Sequence, residues 1–202
     1  MKYYCLIILI TVILPCCRQK ENKPGAPKPN ADMVVRIQPF TDMDNGEVQQ
    51  LARAVQKLFP RVIISPAVEL PQFAYYAARG RYKADSLLKY LKAVGKPNEI
   101  LIGVTTHDIS TSKDAIPDWG VMGLGSCPGS SCVASTFRLN MTKGKEQLFK
   151  VAIHELGHNF GLPHCPNAGC YMRDAEGGNP TDDEKDFCAS CKQYLRRYYW
   201  KL

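Results

Sequence analysis

The chain has 202 residues, 45% of them apolar and 22% charged, which is the make-up of one globular domain with a short appendage. That composition excludes wholesale disorder and a polytopic membrane protein. The net charge is +7, but four of those charges fall on Lys2 and residues 18–31, and the +3 left over is too weak a bias for a nucleic-acid partner.

Lys2 is followed by an apolar run over 5–14 and then by Pro15-Cys16-Cys17. One early positive charge and so short an apolar stretch read as a secretory signal, too short to span a bilayer as a helix. The cysteines at its end resemble a bacterial lipoprotein signal, in which a cysteine becomes the acylated first residue of the mature chain. Cys17 fits better than Cys16, having Leu14 three residues before it and a small residue next to it, whereas Pro15 precedes Cys16. A plain cleaved signal or a short apolar anchor is the alternative. On the lipoprotein reading residues 1–17 are removed or lipidated, and the protein is exported to the cell envelope, held on a membrane by acyl chains. Residues 18–32 carry three prolines and no apolar periodicity, and are expected to form an extended tether reaching roughly 45 Å. The folded body, 33–202, shows no repeat and reads as one domain, expected to be a monomer.

Within the body, 33–40 is β-branched and apolar, a first strand. Residues 44–58 place Val48, Leu51, Val55 and Leu58 at helical spacing, with Asp44 as cap. A second strand over 62–70 is interrupted by Pro66, a second helix over 84–94 stops at Gly95, and 100–105 (ILIGVT) reads as a buried central strand. Strands over 121–126 and 132–139 are joined through Pro128-Gly129, a turn dipeptide. Helices follow over 145–160 and 182–200. The order predicts an α/β (α+β) fold, a mixed twisted sheet with helices packed on it.

The helix over 145–160 carries His154-Glu155-Leu156-Gly157-His158. Histidines at i and i+4 share one helix face and can hold one zinc, while Glu155 can reach a water at the metal without being a ligand. Gly161 and then His164 follow at three-residue steps, and glycine can turn the chain back so that His164 meets the same metal. Three neutral imidazoles leave one exchangeable position on a tetrahedral zinc, the mark of a catalytic site. His107, in TTHDIS, reads as an ordinary loop residue. Cys165, Cys170, Cys188 and Cys191 have the spacing of a four-cysteine zinc; in an exported chain the competing reading is two disulfides, Cys165–Cys170 and Cys188–Cys191. Cys127 and Cys132 flank a turn and read either as a short disulfide or as two buried thiols.

HELGHNFGLPHC followed by Cys170-Tyr171-Met172 and a later CASC resembles the archaemetzincins, a branch of the metzincin zinc peptidases. The resemblance implies a metzincin-like fold with an active-site helix, a Met-turn at Met172 beneath the catalytic zinc, and a C-terminal helix. It implies ligation by His154, His158 and His164, with Glu155 as the general base that activates a zinc-bound water. It also implies a second, structural zinc on the four cysteines, so two per chain, and a peptide or protein substrate. The mechanism expected is metal-assisted peptide hydrolysis. The alternative from another class is a non-catalytic zinc-bearing surface lipoprotein that binds peptide or metal, which would have no need of Glu155.

Overall fold

The structure, a computed structural model, describes residues 28–202. The signal peptide with Cys16 and Cys17, and most of the tether, lie outside the described residues. In chain order, β1 (Val34–Pro39) leads through α1 (Asn45–Leu58) to β2 (Val62–Ile64). Two short strands, β3 (Tyr75–Tyr76) and β4 (Arg81–Lys83), precede α2 (Ala84–Val94) and β5 (Glu99–Thr105). Then come β6 (Ile109–Lys113), β7 (Ile116–Val121), β8 (Gly123–Gly125) and β9 (Ser131–Ser135). The last elements are α3 (Gly144–Asn159) and, after a long irregular stretch, α4 (Ala189–Arg196). Among the described residues no helix is long and apolar enough to cross a membrane.

Five strands form one sheet in the order β2-β1-β5-β9-β8, parallel except for β8, which pairs antiparallel with β9 at the edge. Because both faces are covered, β5 reads as a continuous apolar run, and its side chains alternate between two cores. Ile100, Ile102 and Val104 join Val35 and Ile37 against α1 and α3, where Val48, Leu51, Val55, Leu148, Ala152 and Leu156 are buried. Leu101, with Phe40 and Val133, faces Leu87 and Leu91 of α2. Each large side chain removed from water in this way contributes about 1.5–3 kcal/mol. The Asp44 side chain accepts from the Glu47 amide and so caps α1, as its sequence predicts. The chain end is pinned by Trp200, whose ring lies edge-on to Phe59, Phe160 and Phe187.

A second sheet, β3-β4-β6-β7, stands beside the first. Here the structure departs from the sequence reading. The expected strand over 121–126 is split: Val121 ends β7 in the second sheet, and only Gly123–Gly125 joins the first. The β6–β7 hairpin was not visible, because it is held by charge more than by alternating apolar residues: Lys83 reaches Asp118 at 2.8 Å and Arg81 reaches Asp108 at 3.0 Å. The strand expected over 132–139 stops at Ser135, whose hydroxyl donates to the His107 carbonyl while accepting from the Phe137 amide, turning the chain. The helix expected over 182–200 is reduced to Ala189–Arg196 with a single 3₁₀ turn at Pro180–Asp182. Between them Asp186 pairs with Cys170 as an isolated bridge and Cys188 is extended, which carries its sulfur to the other cysteines.

Candidate active site

The α3 helix is buried nearly all round, from Gln147 to Asn159, so its register is fixed by packing. Asn159 is fully buried and donates to the carbonyls of Ser126 and Ser131, both at 2.9 Å, which ties α3 to the turn between β8 and β9. The helix ends as its sequence requires: Gly161 has φ +96°, a conformation that costs glycine nothing and other residues about 1–2 kcal/mol. The chain then reverses and His164 returns to within ring distance of the other two, 5.3 Å from His154 and 4.8 Å from His158 between centroids.

Each of the three imidazoles is oriented through its Nδ1. His154 donates to the Tyr171 carbonyl at 2.7 Å, His158 to the Leu162 carbonyl at 2.7 Å, and His164 lies 3.2 Å from Asp174. Carbonyls can only accept, so Nδ1 carries the proton in His154 and His158, and each Nε2 is left as a lone pair. Those two Nε2 atoms face each other at 3.0 Å. Two lone pairs at that distance repel unless a cation lies between them, and the set is what a zinc ligand set requires. Burial, aided by His158, pushes His154 down to about 3, and burial lowers His158 as well, so both are neutral and able to ligate.

Glu155 points the other way along the same turn, into the cleft. It is 7% exposed, and burial raises its carboxyl to about 8. Space for it is made by β8: a Cβ on Gly123 would stand 2.5 Å from Glu155 Oε1, so any side chain there would displace the carboxylate. Met172 is fully buried, and its sulfur would lie 2.4 Å from a Cβ on Gly157, so the side chain is seated against the α3 backbone between His154 and His158. The cleft itself has a volume of about 770 Å³ and runs between β7–β8, the α3 residues Lys150 to His158, and the segment 173–184.

The four cysteines form a second cluster, with all four sulfurs within 4.8 Å of one another. Cys165 and Cys188 are 3.7 Å apart and Cys170 and Cys191 3.8 Å apart. Tetrahedral zinc with bonds of about 2.3 Å sets its sulfurs about 3.8 Å from each other, so the set fits that ion. The amides of Met172 and Cys188 both donate to the Cys170 sulfur, at 3.5 and 3.3 Å, an arrangement suited to a thiolate. Burial pushes Cys170 and Cys191 up, while the Ser190 hydroxyl brings Cys188 down to about 6. The competing disulfides between sequence neighbours are not formed, and the nearest pairs are instead Cys165/Cys188 and Cys170/Cys191. The Cys127–Cys132 bridge is not formed either: Cys132 is buried in β9, and Cys127 donates to the Leu162 carbonyl at 3.4 Å. His107 packs its ring on Tyr82, apart from both clusters.

Residues 30–197 match the model of peptidase family M54. The chain belongs to this family, the archaemetzincins. It is 31% identical to archaemetzincin from Archaeoglobus fulgidus over 81% of this chain and 99% of that one. With archaemetzincin from Methanopyrus kandleri it shares 33% identity over 64% of this chain and 74% of that one. The crystal structure of the Archaeoglobus protein, complexed with malonate, superposes with a TM-score of 0.69 over 80% of this chain and 99% of that chain, at 30% identity. The Methanopyrus crystal structure superposes at 0.71 over 85% and 98%, at 27% identity. This archaemetzincin is therefore a zinc metallopeptidase acting on peptide or protein substrates, with the mixed α/β architecture described above. What its sequence did not reveal is the support around the three histidines. Main-chain carbonyls of Tyr171 and Leu162 leave no side-chain signature, and Asp174 is one acid among many in its segment.

Proposed function

We propose that this M54 peptidase cleaves peptide bonds with His154, His158 and His164 as ligands of the catalytic zinc and Glu155 as general base. The observation that carries the reading is the convergence of imidazole Nε2 atoms beside a carboxylate that is buried, lines the cleft and has no partner among the described residues. Bound there, zinc supplies Lewis acidity toward a water and the scissile carbonyl. A dication close by favours the ionised form of Glu155 despite its burial. In that form the carboxylate takes the proton of the attacking water and passes it to the leaving amine nitrogen. The edge strand β8 offers its main chain along the cleft, where an extended substrate can add as a further strand.

On this reading the four cysteines hold a second, structural zinc, and Met172 supports the catalytic one from beneath as the Met-turn residue. The protein works as a monomer in the cell envelope, anchored through lipid on Cys17, with Cys16 the adjacent candidate. Fatty-acid labelling that survives Cys17→Ala and is lost with Cys16→Ala would move the anchor, and an unlabelled mature protein would remove it. For the chemistry, Glu155→Gln should reduce turnover by ~10²–10⁴-fold with zinc content unchanged, the usual size of a general acid–base contribution. Near-normal turnover in that variant would take Glu155 out of the mechanism.

A further inference from the structure

The cleft carries a carboxylate that the proposed hydrolytic machinery does not use. Glu184 lines the cleft and is 3% exposed, yet among the described residues its carboxyl makes no hydrogen bond and no ion pair. Buried carboxylates are ordinarily paired, and the Glu184 oxygens are not sealed off but open to the cleft, where a ligand's donor can reach them. The neighbouring cations are already committed. Lys150 holds Glu146 at 2.7 Å and donates to the Thr181 carbonyl at 2.8 Å. Arg173 reaches Asp183 at 3.5 Å. With those two cations each matched to its own carboxylate, Glu184 has no cation of its own among the described residues. Burial raises its carboxyl to about 7, with Lys150 and Arg173 only partly opposing the rise from a distance.

The position is significant for the substrate. Lys150 and Val151 line the cleft one turn before His154 on α3, a separation of about 6 Å along the axis. Lys150 is joined to the Thr181 carbonyl, and the Glu184 amide donates to the Pro180 carbonyl, so Glu184 sits on the wall facing that turn. A lysine or arginine side chain extends about as far as one helical turn. We propose that Glu184 is a specificity-determining residue that selects a basic side chain, lysine or arginine, at one position of the peptide substrate. The incoming ammonium or guanidinium supplies donors that no described residue gives the Glu184 carboxylate, forming a charge-assisted hydrogen bond. A site built to pair a polar group discriminates more sharply than an apolar pocket, because rejecting the right substrate leaves its own group unsatisfied.

This inference rests on the peptidase reading, and the test separates the two. Zinc-loaded protein is given fluorogenic peptides in which each position in turn is lysine, norleucine or glutamate. In parallel, binding of the same peptides to the Glu155→Ala variant is followed by fluorescence polarisation, which needs no turnover. The expected result is one position at which lysine exceeds norleucine by at least ~10-fold and glutamate is rejected, in hydrolysis and in binding. Glu184→Gln, nearly isosteric, should bring the lysine-to-norleucine ratio close to one, and Glu184→Lys should shift preference at that position toward glutamate. Ratios between substrates do not move when a residue is merely structural, and circular dichroism with zinc content identifies a variant that has failed to fold. A lysine-to-norleucine ratio that is the same in Glu184→Gln as in the parent, or a parent that prefers apolar or acidic residues everywhere, overturns the proposal. Absence of all hydrolysis would instead count against the peptidase reading, and the binding arm would still decide the role of Glu184.

Discussion

The two walls of the cleft are held together by different forces. The wall built from the five-stranded sheet, α1, α2 and α3 is an apolar core: Ile37, Leu87, Leu91, Ile102, Ile153 and Leu156 are all fully buried. Of its apolar side chains, the opposite wall, residues 161–191, buries only Leu162, Tyr171, Met172 and Phe187 besides two cysteines. Its backbone is mostly turns, closed by bonds such as the Cys165 amide to the Met172 carbonyl at 2.7 Å. An irregular segment with so little apolar burial cannot offset the entropy of ordering it. The cysteine cluster lies within this wall, and a tetrathiolate metal supplies folding free energy of about 10 kcal/mol in small domains. The three clustered histidines straddle the division: His154 and His158 are preset by a rigid helix, whereas His164, Tyr171 and Asp174 come from the irregular wall. With the ligand set proposed above, catalysis depends on the wall that the core does not stabilise.

The largest test of that contrast is Cys188→Ser. It lies 24 residues from His164 along the chain, yet it should release one zinc and abolish most peptidase activity, because Cys165 adjoins His164. Hydrogen exchange should rise over 161–191 while amides of β5 and α3 stay protected; equal loss of protection in both walls would contradict the division. Next in size is Met172→Ala at the junction. Removing a fully buried methionine costs about 2–5 kcal/mol, and denaturant unfolding should show it, with a larger drop in activity than in core stability. A stability loss under 1 kcal/mol would mean that Met172 does not seat the wall on α3.

The smallest effect lies in the second sheet. Lys83, hydrogen-bonded to Asp118, holds the Asp118 carboxyl down to about 2, below its usual value of 3.8. A depressed carboxylate contributes stability that is complete above its unfolded pKa and disappears as pH falls through its folded one. The hairpin should therefore lose stability between about pH 4 and 2. Lys83→Met should flatten that part of the pH profile, and an unchanged profile would show that Asp118 is not its source.

The same division explains what could be read from the sequence. Histidines at i and i+4 with a glycine three residues on are local facts about a helix, and Gly161 is found with the positive φ that ends it. Local apolar patterning located α1, α2 and the central strand, the last as a continuous apolar run. The charge-held hairpin of β6 and β7 has no such periodicity: Pro117, Asp118 and Gly120 interrupt it, and Arg81 and Lys83 lie 27 and 35 residues before their partners Asp108 and Asp118. The last helix was over-extended because 182–200 is rich in helix formers, while the need to bring Cys188 to Cys165 is a tertiary demand. Glu184 was invisible because its meaning depends on which cations are already paired, and that is decided across 34 residues by Lys150.

Zinc stoichiometry with a thiol count on the untreated protein tests the account most directly. Two zinc ions per chain are expected by native mass spectrometry, with no disulfide among Cys165, Cys170, Cys188 and Cys191 after alkylation under denaturing, metal-free conditions. One zinc per chain together with Cys165–Cys188 and Cys170–Cys191 bridges, recovered without reduction, would contradict it.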